Sequence, residues 1–316
     1  MRVLLTGGTG YLGRAIARAL ARRGHHAVIF ARSARAAVAG GLPGIAVDGD
    51  VRDAAALASA AAGCDALCHT AALVSVWRRR RQDFHDVNVG GLLNALDAAA
   101  HHRITRIVYT SSFLALPPAG AAEQAPAGND YQRTKRDAER AAADALARGA
   151  PLVRLYPGGL YGPGESTEGN LVGRLVADHL GGRLPGIVGA DRTWSFAFVD
   201  DVAEAHVSSL ERGAAGAAYA LGGENAPQMR LFEILHQLTG RDLPRRIPVA
   251  AARIVAIWEE LRAAILNRTP LLTRGTVHVL SHDWPLDSSA AMRDLDYRIT
   301  PLSRGLAAVV ASLSGH

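Results

Sequence analysis

At 316 residues the chain is long enough to bury a large core, either as one α/β domain or as one domain with a smaller lobe. Hydrophobic residues make up 49% of it and aromatics 5%, with long alanine runs, which excludes a disordered or low-complexity chain. The net charge of +6 is spread along the whole length, apart from one run at Arg78-Arg79-Arg80-Arg81 that reads as a solvated loop or helix start. A basic protein that takes a phosphate-rich cofactor needs no nucleic-acid partner to explain its charge.

The opening "MRVLLTGG" is a short strand running into glycines, without the apolar stretch and cleavage site of a signal peptide. No segment reaches the roughly 18 uncharged apolar residues of a membrane span. The expected location is therefore the cytoplasm.

From there, short β-rich runs alternate with alanine-rich helical stretches. "RVLLT" leads through a glycine turn into the helix "YLGRAIARALARRG". "HAVIFAR" and "GIAVDGD" are the second and third strands, followed by the helix "AAALASAAAG" and a fourth strand, "DALCHTAAL". "DFHDVNVGGLLNALDAAAHH" reads as a single helix and "RIVYTSS" as the fifth strand. "NDYQRTKRDAERAAADALARG" is a long helix, and "PLVRLYP" the sixth strand. This rhythm predicts parallel βαβ units, hence an α/β fold with a Rossmann-type doubly wound parallel sheet.

If "GCDALCHTAA" is one strand, Cys64 and Cys68 in it stand roughly 13 Å apart at about 3.3 Å per residue, too far for a disulfide. Both read as reduced, buried packing residues. His69 would point to the opposite face, so no metal site is expected.

After Pro157 the rhythm breaks at "GGLYGPGESTEGN", rich in glycine and polar residues. "VDDVAEAHVSSLERG" returns as a helix and "AAYALGG" as a short strand, with further helices over 229–240 and 249–267. The expected organisation is a cofactor-binding domain of residues 1–159 plus about 190–221. A substrate-binding lobe of about 160–189 plus 222–316 covers its strand ends.

"TGGTGYLG" places Gly7, Gly10 and Gly13 between a strand and a helix. The first permits a tight turn, the second lets backbone approach a pyrophosphate, and the third lets helix pack on strand. The helix N-terminus then offers N–H groups and partial positive charge to phosphate. At the end of the second strand stands Arg32, where an acid would favour NAD. A guanidinium fork suits a 2′-phosphate and favours NADP; a solvent-facing arginine stacked on adenine would leave NAD possible. Asp50, after the third strand, could meet the adenine amino group or cap the helix that starts near Asp53.

Lys135 is the only lysine in the chain, and Tyr131 stands four residues before it, one turn away on the same helix face. A nearby ammonium, with the charge of an oxidised nicotinamide, is expected to lower the phenol toward working pH, so that Tyr131 exchanges a proton while the cofactor exchanges hydride. The compact lysine head can hold ribose hydroxyls and face the phenol, which a rigid guanidinium plane does poorly. Ser111 and Ser112 end the fifth strand, where open α/β sheets place ligands and a hydroxyl can donate to a substrate oxygen.

Together "TGGTGYLG", Asp50, "HTAAL", Asn88 in "VNVGGLLNAL", "VYTSS", "YQRTK", "RLYPGGLYGPG" and "FVDDVAEAH" resemble the extended short-chain dehydrogenase/reductase superfamily, in that family's order from residue 3 to about 206. "AALVSVW", "YTSSFLAL", "GRLPGIVG", "SFAFVDDV" and "GGENAP" look like its dihydroflavonol-reductase-like members, in particular the plant farnesol-dehydrogenase-like proteins. The resemblance implies catalytic roles for Ser112, Tyr131 and Lys135, with Asn88 in support. It places the cofactor along Gly7, Thr9, Gly10, Tyr11, Leu12, Gly13, Arg32, Asp50, Val51, Ala71, Ala72 and Thr110. Tyr131 and Lys135 would also touch it, and the segment Pro157, Gly158, Gly159, Leu160 would pack beside the nicotinamide. The substrate is expected against Val74, Trp77, Ser112, Phe113, Leu114 and Tyr161, with Val76 nearby. Ordinary core packing is the competing reading for Trp77 and Phe113.

The implied activity is interconversion of an alcohol and a ketone or aldehyde on an apolar small molecule, with NADP or NAD, by a possible homodimer. The stretch after Ser112 is Phe113-Leu114-Ala115-Leu116, where related epimerases carry a small-residue run ending Val-Tyr-Gly. No Asp-Glu pair follows Ser112, as it would in a dehydratase. A sugar-nucleotide epimerase that retains NAD, with Asn170 and Arg192 on a pyrophosphate, is the alternative enzyme. A regulatory dinucleotide sensor is the non-enzymatic one, and it would have no use for the intact triad.

Overall fold

A computed structural model describes residues 1–316 except 76, 123–125, 165–169, 267, 315 and 316. The chain opens with β1 (Arg2–Thr6), α1 (Tyr11–Arg22), β2 (His26–Ala31), α2 (Ala34–Ala39), β3 (Ile45–Asp48), α3 (Ala54–Ala61) and β4 (Ala66–His69). It continues with α4 (Gln82–His85), a π-helical turn (Asp86–Gly90), α5 (Gly91–His101), β5 (Ile107–Thr110), a 3₁₀ turn (Phe113–Ala115), α6 (Asp130–Ala147) and β6 (Leu152–Pro157). Then come β7 (Gly159–Tyr161), α7 (Leu171–Leu180), β8 (Ile187–Val188), β9 (Thr193–Phe198), α8 (Val199–Arg212), β10 (Ala218–Leu221), β11 (Glu224–Pro227) and α9 (Gln228–Thr239). Last are β12 (Arg246–Ile247), α10 (Val249–Leu266), α11 (Arg274–Leu280), α12 (Ser289–Leu295) and α13 (Leu302–Ser314).

The main sheet has seven parallel strands in the order β10-β6-β5-β4-β1-β2-β3. The inner strands are short and apolar because both faces are covered, whereas the edge strand β3 stays partly exposed. Val3, Leu5, Ile29 and Cys68 pack on the side of α1 and α8, while Leu4, Val28, Phe30 and Leu67 pack on the side of α3, α5 and α6. Strand order reverses between β1 and β4, and the crevice beyond those C-terminal ends is where such sheets bind ligands. The turn after α1 closes at Gly24, whose left-handed backbone (φ +73°) a side chain would resist.

A third apolar cluster, around Trp194, Phe196, Phe232 and Trp284, builds the second lobe over that crevice. Its sheet is β11-β9-β7. Two boundaries therefore differ from the sequence expectation. Residues 193–198 fall in the segment assigned to the cofactor domain, yet β9 pairs with β7 and β11. Conversely, Ala291 and Leu295 of α12, with Tyr297, join the core under α1 and α8.

Three local readings also change. The fourth strand ends at His69, and farther along the Asn88 carboxamide takes both backbone groups of Leu73. The expected single helix over 83–102 contains the π turn, which rotates Asn88 inward. Cys64 precedes β4 and lies on the opposite side of the sheet from Cys68; both are free, and burial pushes both thiols up.

Candidate active site

Four strand ends converge on the crevice. Gly7 follows β1 with φ +70°, and a Cβ there would stand 2.7 Å from the backbone nitrogen and Cα of Ala71, the second residue after β4. A Cβ on Gly13 would come within 2.2 Å of the Gly7 carbonyl oxygen. Gly10 is different: a Cβ would meet only that carbonyl, at 3.3 Å. Gly7 and Gly13 thus keep backbones in contact, while Gly10 leaves space in front of α1. No side chain caps α1, so the first-turn N–H groups of Tyr11, Leu12 and Gly13 are available to an acceptor. An open cradle facing an uncapped helix start fits a dinucleotide pyrophosphate.

Around this cradle the expected contacts divide. The Arg14 guanidinium donates to the Thr9 carbonyl (3.1 Å), bracing the loop. The Tyr11 hydroxyl donates to the Gly162 carbonyl (2.9 Å) in a buried setting, so only its backbone faces the cradle. Arg32 is exposed at the end of β2. Asp50 accepts a bidentate pair from Arg52, Nε at 2.9 Å and Nη2 at 2.7 Å, and with Arg32 nearby its carboxyl is held below the usual range. Asp53, not Asp50, caps α3, accepting from the Ala56 N–H. Val51 is buried against Gly91. Gly158 is required for packing: a Cβ would stand 2.5 Å from the Ser195 carbonyl. Gly159 lies against Val172, and Leu160 packs partly buried on the core of the main sheet.

Tyr131 and Lys135 stand on the first two turns of α6. Asn129 caps that helix by accepting from the Gln132 N–H (2.8 Å), and the Gln132 side chain accepts from the Gly128 N–H (2.6 Å), a variant of the capping box. The start of the helix, and the phenol with it, is thereby fixed. Lys135 is 3% exposed and donates from Nζ to the Thr110 carbonyl (2.9 Å), with the ammonium 5.3 Å from the centre of the Tyr109 ring. Burial lowers it to about 8, with Glu139 acting in the opposite direction.

Tyr131 keeps part of its surface open, yet desolvation of its phenol raises it to about 12, with the Ser112 hydroxyl as the hydrogen-bonding group that acts to lower it. Within the protein the ammonium does not by itself lower the phenol; the expected lowering counted the charge of an oxidised nicotinamide as well. Lys135 is committed to the Thr110 carbonyl, and desolvation outweighs the remaining field. Ser112 also caps the 3₁₀ turn, accepting from the Leu114 N–H at 3.2 Å.

Asn88 is 2% exposed, and its carboxamide is fully engaged. Oδ1 accepts from the Leu73 N–H (2.7 Å), and Nδ2 donates to Thr134 Oγ1 (2.9 Å) and to the Leu73 carbonyl (3.3 Å). Thr134 in turn donates to the Tyr131 carbonyl (3.1 Å). Sequence reasoning did not single out Thr134, although it lies inside the Tyr-x-x-x-Lys spacing. His206 was missed as well, and His69 was weighed only as a metal ligand. His69 meets Thr6 Oγ1 through Nδ1 (2.9 Å), and His206 meets Thr110 Oγ1 through Nε2 (2.9 Å). Burial lowers them to about 3 and about 4, so both are neutral struts beneath the site.

On the substrate side, Val74 and Trp77 are half-buried beyond Ala71 and Ala72, while Val76 lies outside the described residues. Phe113 packs edge-on against Trp194 and Trp284, with ring centroids 5.7 and 5.5 Å apart. With Leu114, it belongs to the core of the second lobe. Tyr161 departs from expectation. It is fully buried, its ring edge-on to Phe198 and its hydroxyl 2.3 Å from where a Cβ on Gly305 would lie, so its side chain packs and does not reach a ligand. Among the described residues no group of His, Cys, Asp or Glu could hold a metal ion. Arg80 and Arg81 of the arginine run are exposed and paired, with Asp86 at 3.2 Å and Asp130 at 2.7 Å.

The family profile described as the NAD dependent epimerase/dehydratase family matches residues 3–222. The chain is 31% identical to the sterol demethylase protein B of Methylococcus capsulatus, with 98% of each chain covered. It is 32% identical to the 2-alkyl-3-oxoalkanoate reductase of Stenotrophomonas maltophilia, with 94% of each covered. The solved structure of gox2253 superposes with a TM-score of 0.83 at 28% identity, over 100% of this chain and 98% of that one. The chain belongs to the NAD-dependent epimerase/dehydratase family of extended short-chain dehydrogenases/reductases.

Proposed function

We propose that the chain is an NAD(P)-dependent oxidoreductase that interconverts an alcohol and a ketone or aldehyde on an apolar small molecule, with NADP preferred. The observation that carries this reading is the convergence of Ser112, Tyr131 and Lys135 beside the glycine cradle. There Tyr131 stands close enough to Ser112 for that hydroxyl to act on the phenol, and the one lysine of the chain is buried at the next helical turn. A nicotinamide bound there would supply hydride and, when oxidised, a positive charge. The Ser112 hydroxyl would orient the substrate oxygen and steady charge developing on it. Tyr131 would deliver or accept the proton at that oxygen, and a phenol held near 12 delivers its proton readily to an alkoxide. Lys135, fixed on the Thr110 carbonyl, would stabilise the phenolate that remains and hold a ribose hydroxyl.

An apolar substrate is supported by Val74 and Trp77 at the crevice and by the aromatic wall of Phe113, Trp194 and Trp284 behind it. The names of the two relatives, a sterol-acting protein and an oxoalkanoate reductase, agree. The epimerase reading is weakened by the two residues it called on. Asn170 caps α7, accepting from the Gly173 N–H (2.8 Å), and Arg192 pairs with Asp283 (3.0 Å).

The test is consumption of NADPH and of NADH against sterol-like, terpenoid, 3-oxoalkanoate and aromatic carbonyls, with UDP-sugars alongside. The reading expects turnover on an apolar carbonyl with NADPH preferred, and an Arg32→Asp variant that shifts preference toward NADH. Turnover of UDP-sugars alone, with NAD retained through purification, would replace it with the epimerase.

A further inference from the structure

Helix α10 carries its side chains in the reverse of the usual order. The residues it turns toward the protein are Ala252, Ala256, Glu259 and Ala263, all buried. The opposite side is Ile254, Trp258, Leu261 and Ile265, which are 70, 59, 59 and 81% exposed. Both sets follow the spacing of a single helical face. Val255, Ile257 and Leu266 widen the apolar stripe, and Leu271 lies just beyond the helix, all exposed. Of the fourteen large apolar side chains exposed among the described residues, eight fall between 254 and 271. Single exposed leucines are ordinary, whereas a contiguous stripe about 16 Å long marks a surface that meets something apolar.

The charges around the stripe identify the occupant. Arg253 and Arg268 are exposed near its two ends, and the Arg262 guanidinium lies over the Trp258 ring, 5.1 Å from its centre. Both carboxylates of the helix are already engaged. Glu259 is buried and accepts from the Leu271 N–H, with Arg262 beside it (3.0 Å), and Glu260 holds Arg274 (2.8 Å). The face thus offers apolar surface, an indole and, at its two ends, the cations Arg253 and Arg268, while Glu259 and Glu260 are taken up by Arg262 and Arg274. Antiparallel pairing with a second copy would set arginine ends against each other, and like charges across an interface are costly. Anionic lipid headgroups complement this surface, as does the acyl boundary beneath them. No described helix is long and apolar enough to cross a bilayer, so the helix would lie in the membrane plane.

We propose that α10 is a membrane-surface anchor. It rests in the headgroup layer of an anionic bilayer, with Ile254, Trp258, Leu261 and Ile265 directed into the acyl boundary. The anchor also gives a route to the crevice. α10 packs on α11, where Gly275 closes directly on Gly128 and Asn129, and His278 backs onto Gly128 at the start of the helix that carries Tyr131. A lipid-dissolved substrate would therefore be met within one helix of the active site. Membrane binding itself does not rest on the proposed reaction.

The experiment is co-sedimentation of the full chain with vesicles of phosphatidylcholine alone or mixed with phosphatidylglycerol. The wild type is expected to pellet with the mixed vesicles, less with neutral ones, and less again at high salt. An Ile254→Ser/Trp258→Ser/Ile265→Ser variant should partition about tenfold or more weakly, with an unchanged urea midpoint because these side chains are exposed. As a control independent of that variant's folding, the spectrum lost in Trp258→Phe should be the one that shifts blue on adding vesicles. Failure to pellet with either vesicle, or equal pelleting of the triple variant, would overturn the proposal. So would a wild-type dimer in sedimentation velocity that the triple variant abolishes, which would assign the stripe to a second copy. Each readout is independent of turnover, so failure of the reductase reading leaves it intact.

Discussion

Asn88 Nδ2 donates to Thr134 Oγ1 at 2.9 Å while its Oδ1 accepts from the Leu73 N–H at 2.7 Å. One carboxamide thus ties the segment after β4, which borders the glycine cradle, to the helix that carries Tyr131 and Lys135. Replacing it with alanine leaves several buried polar groups without partners. Asn88→Ala should lose about 2–4 kcal/mol in a urea melt. It should also lower kcat more than it raises the KM for cofactor. A variant that keeps wild-type kcat would show that the tie does not position the reacting groups.

The two faces of the glycine loop predict different losses. Gly10→Ala meets only the Gly7 carbonyl at 3.3 Å, so it should fold with nearly wild-type stability and yet bind cofactor at least tenfold more weakly, measured by calorimetric titration. Gly13→Ala places a Cβ 2.2 Å from a backbone oxygen and should lose both, with destabilisation on the order of 2 kcal/mol.

Lys135 gives a pH signature with opposite signs in activity and stability. Its ammonium titrates at about 8 in the folded chain and near the ordinary lysine value when unfolded. The unfolded chain binds more protons between those limits, so this group makes stability rise with pH there. Turnover should instead fall as pH climbs through about 8, because the charge on the phenolate's partner is lost. Lys135→Met should lack that limb. Lys135→Arg keeps the charge but sets a wide plane against the Thr110 carbonyl and the Tyr109 ring, and should be about a hundredfold slower.

His69 and His206 predict acid sensitivity. Both are buried neutral, with folded values of about 3 and about 4. Once unfolded, each takes up a proton below about 6.5, so the stability of the neutral form is lost progressively as pH falls from there. Each contributes on the order of 3 kcal/mol across that window. Thermal melts between pH 7 and 4 should show the loss, and His206→Gln, which keeps a polar partner for Thr110, should flatten the slope.

The parallel sheet was legible because each strand is a short apolar run between glycine and polar breaks, and the cradle because its three glycines fall between strand and helix. The trio proposed to act at the substrate oxygen was singled out in the sequence through Lys135, the chain's single lysine. What sequence could not convey was which groups already had partners. Asp50 is paired with Arg52, Tyr11 is bonded to Gly162, and Tyr161 is enclosed by Phe198 and Gly305. Desolvation of the phenol was illegible for a similar reason: spacing along a helix sets neighbours, whereas desolvation depends on everything packed around them. The second lobe resisted reading because β7, β8, β11 and β12 span only two to four residues each and pair across long sequence gaps.

The central claim is that Tyr131 moves the proton at the substrate oxygen. It is tested most directly by comparing wild type and Tyr131→Phe for turnover of the best apolar carbonyl found with NADPH, with cofactor affinity measured on the same preparations. The account predicts turnover reduced by at least a hundredfold, with cofactor affinity and melting temperature nearly unchanged. Turnover retained within a few-fold of wild type would contradict it.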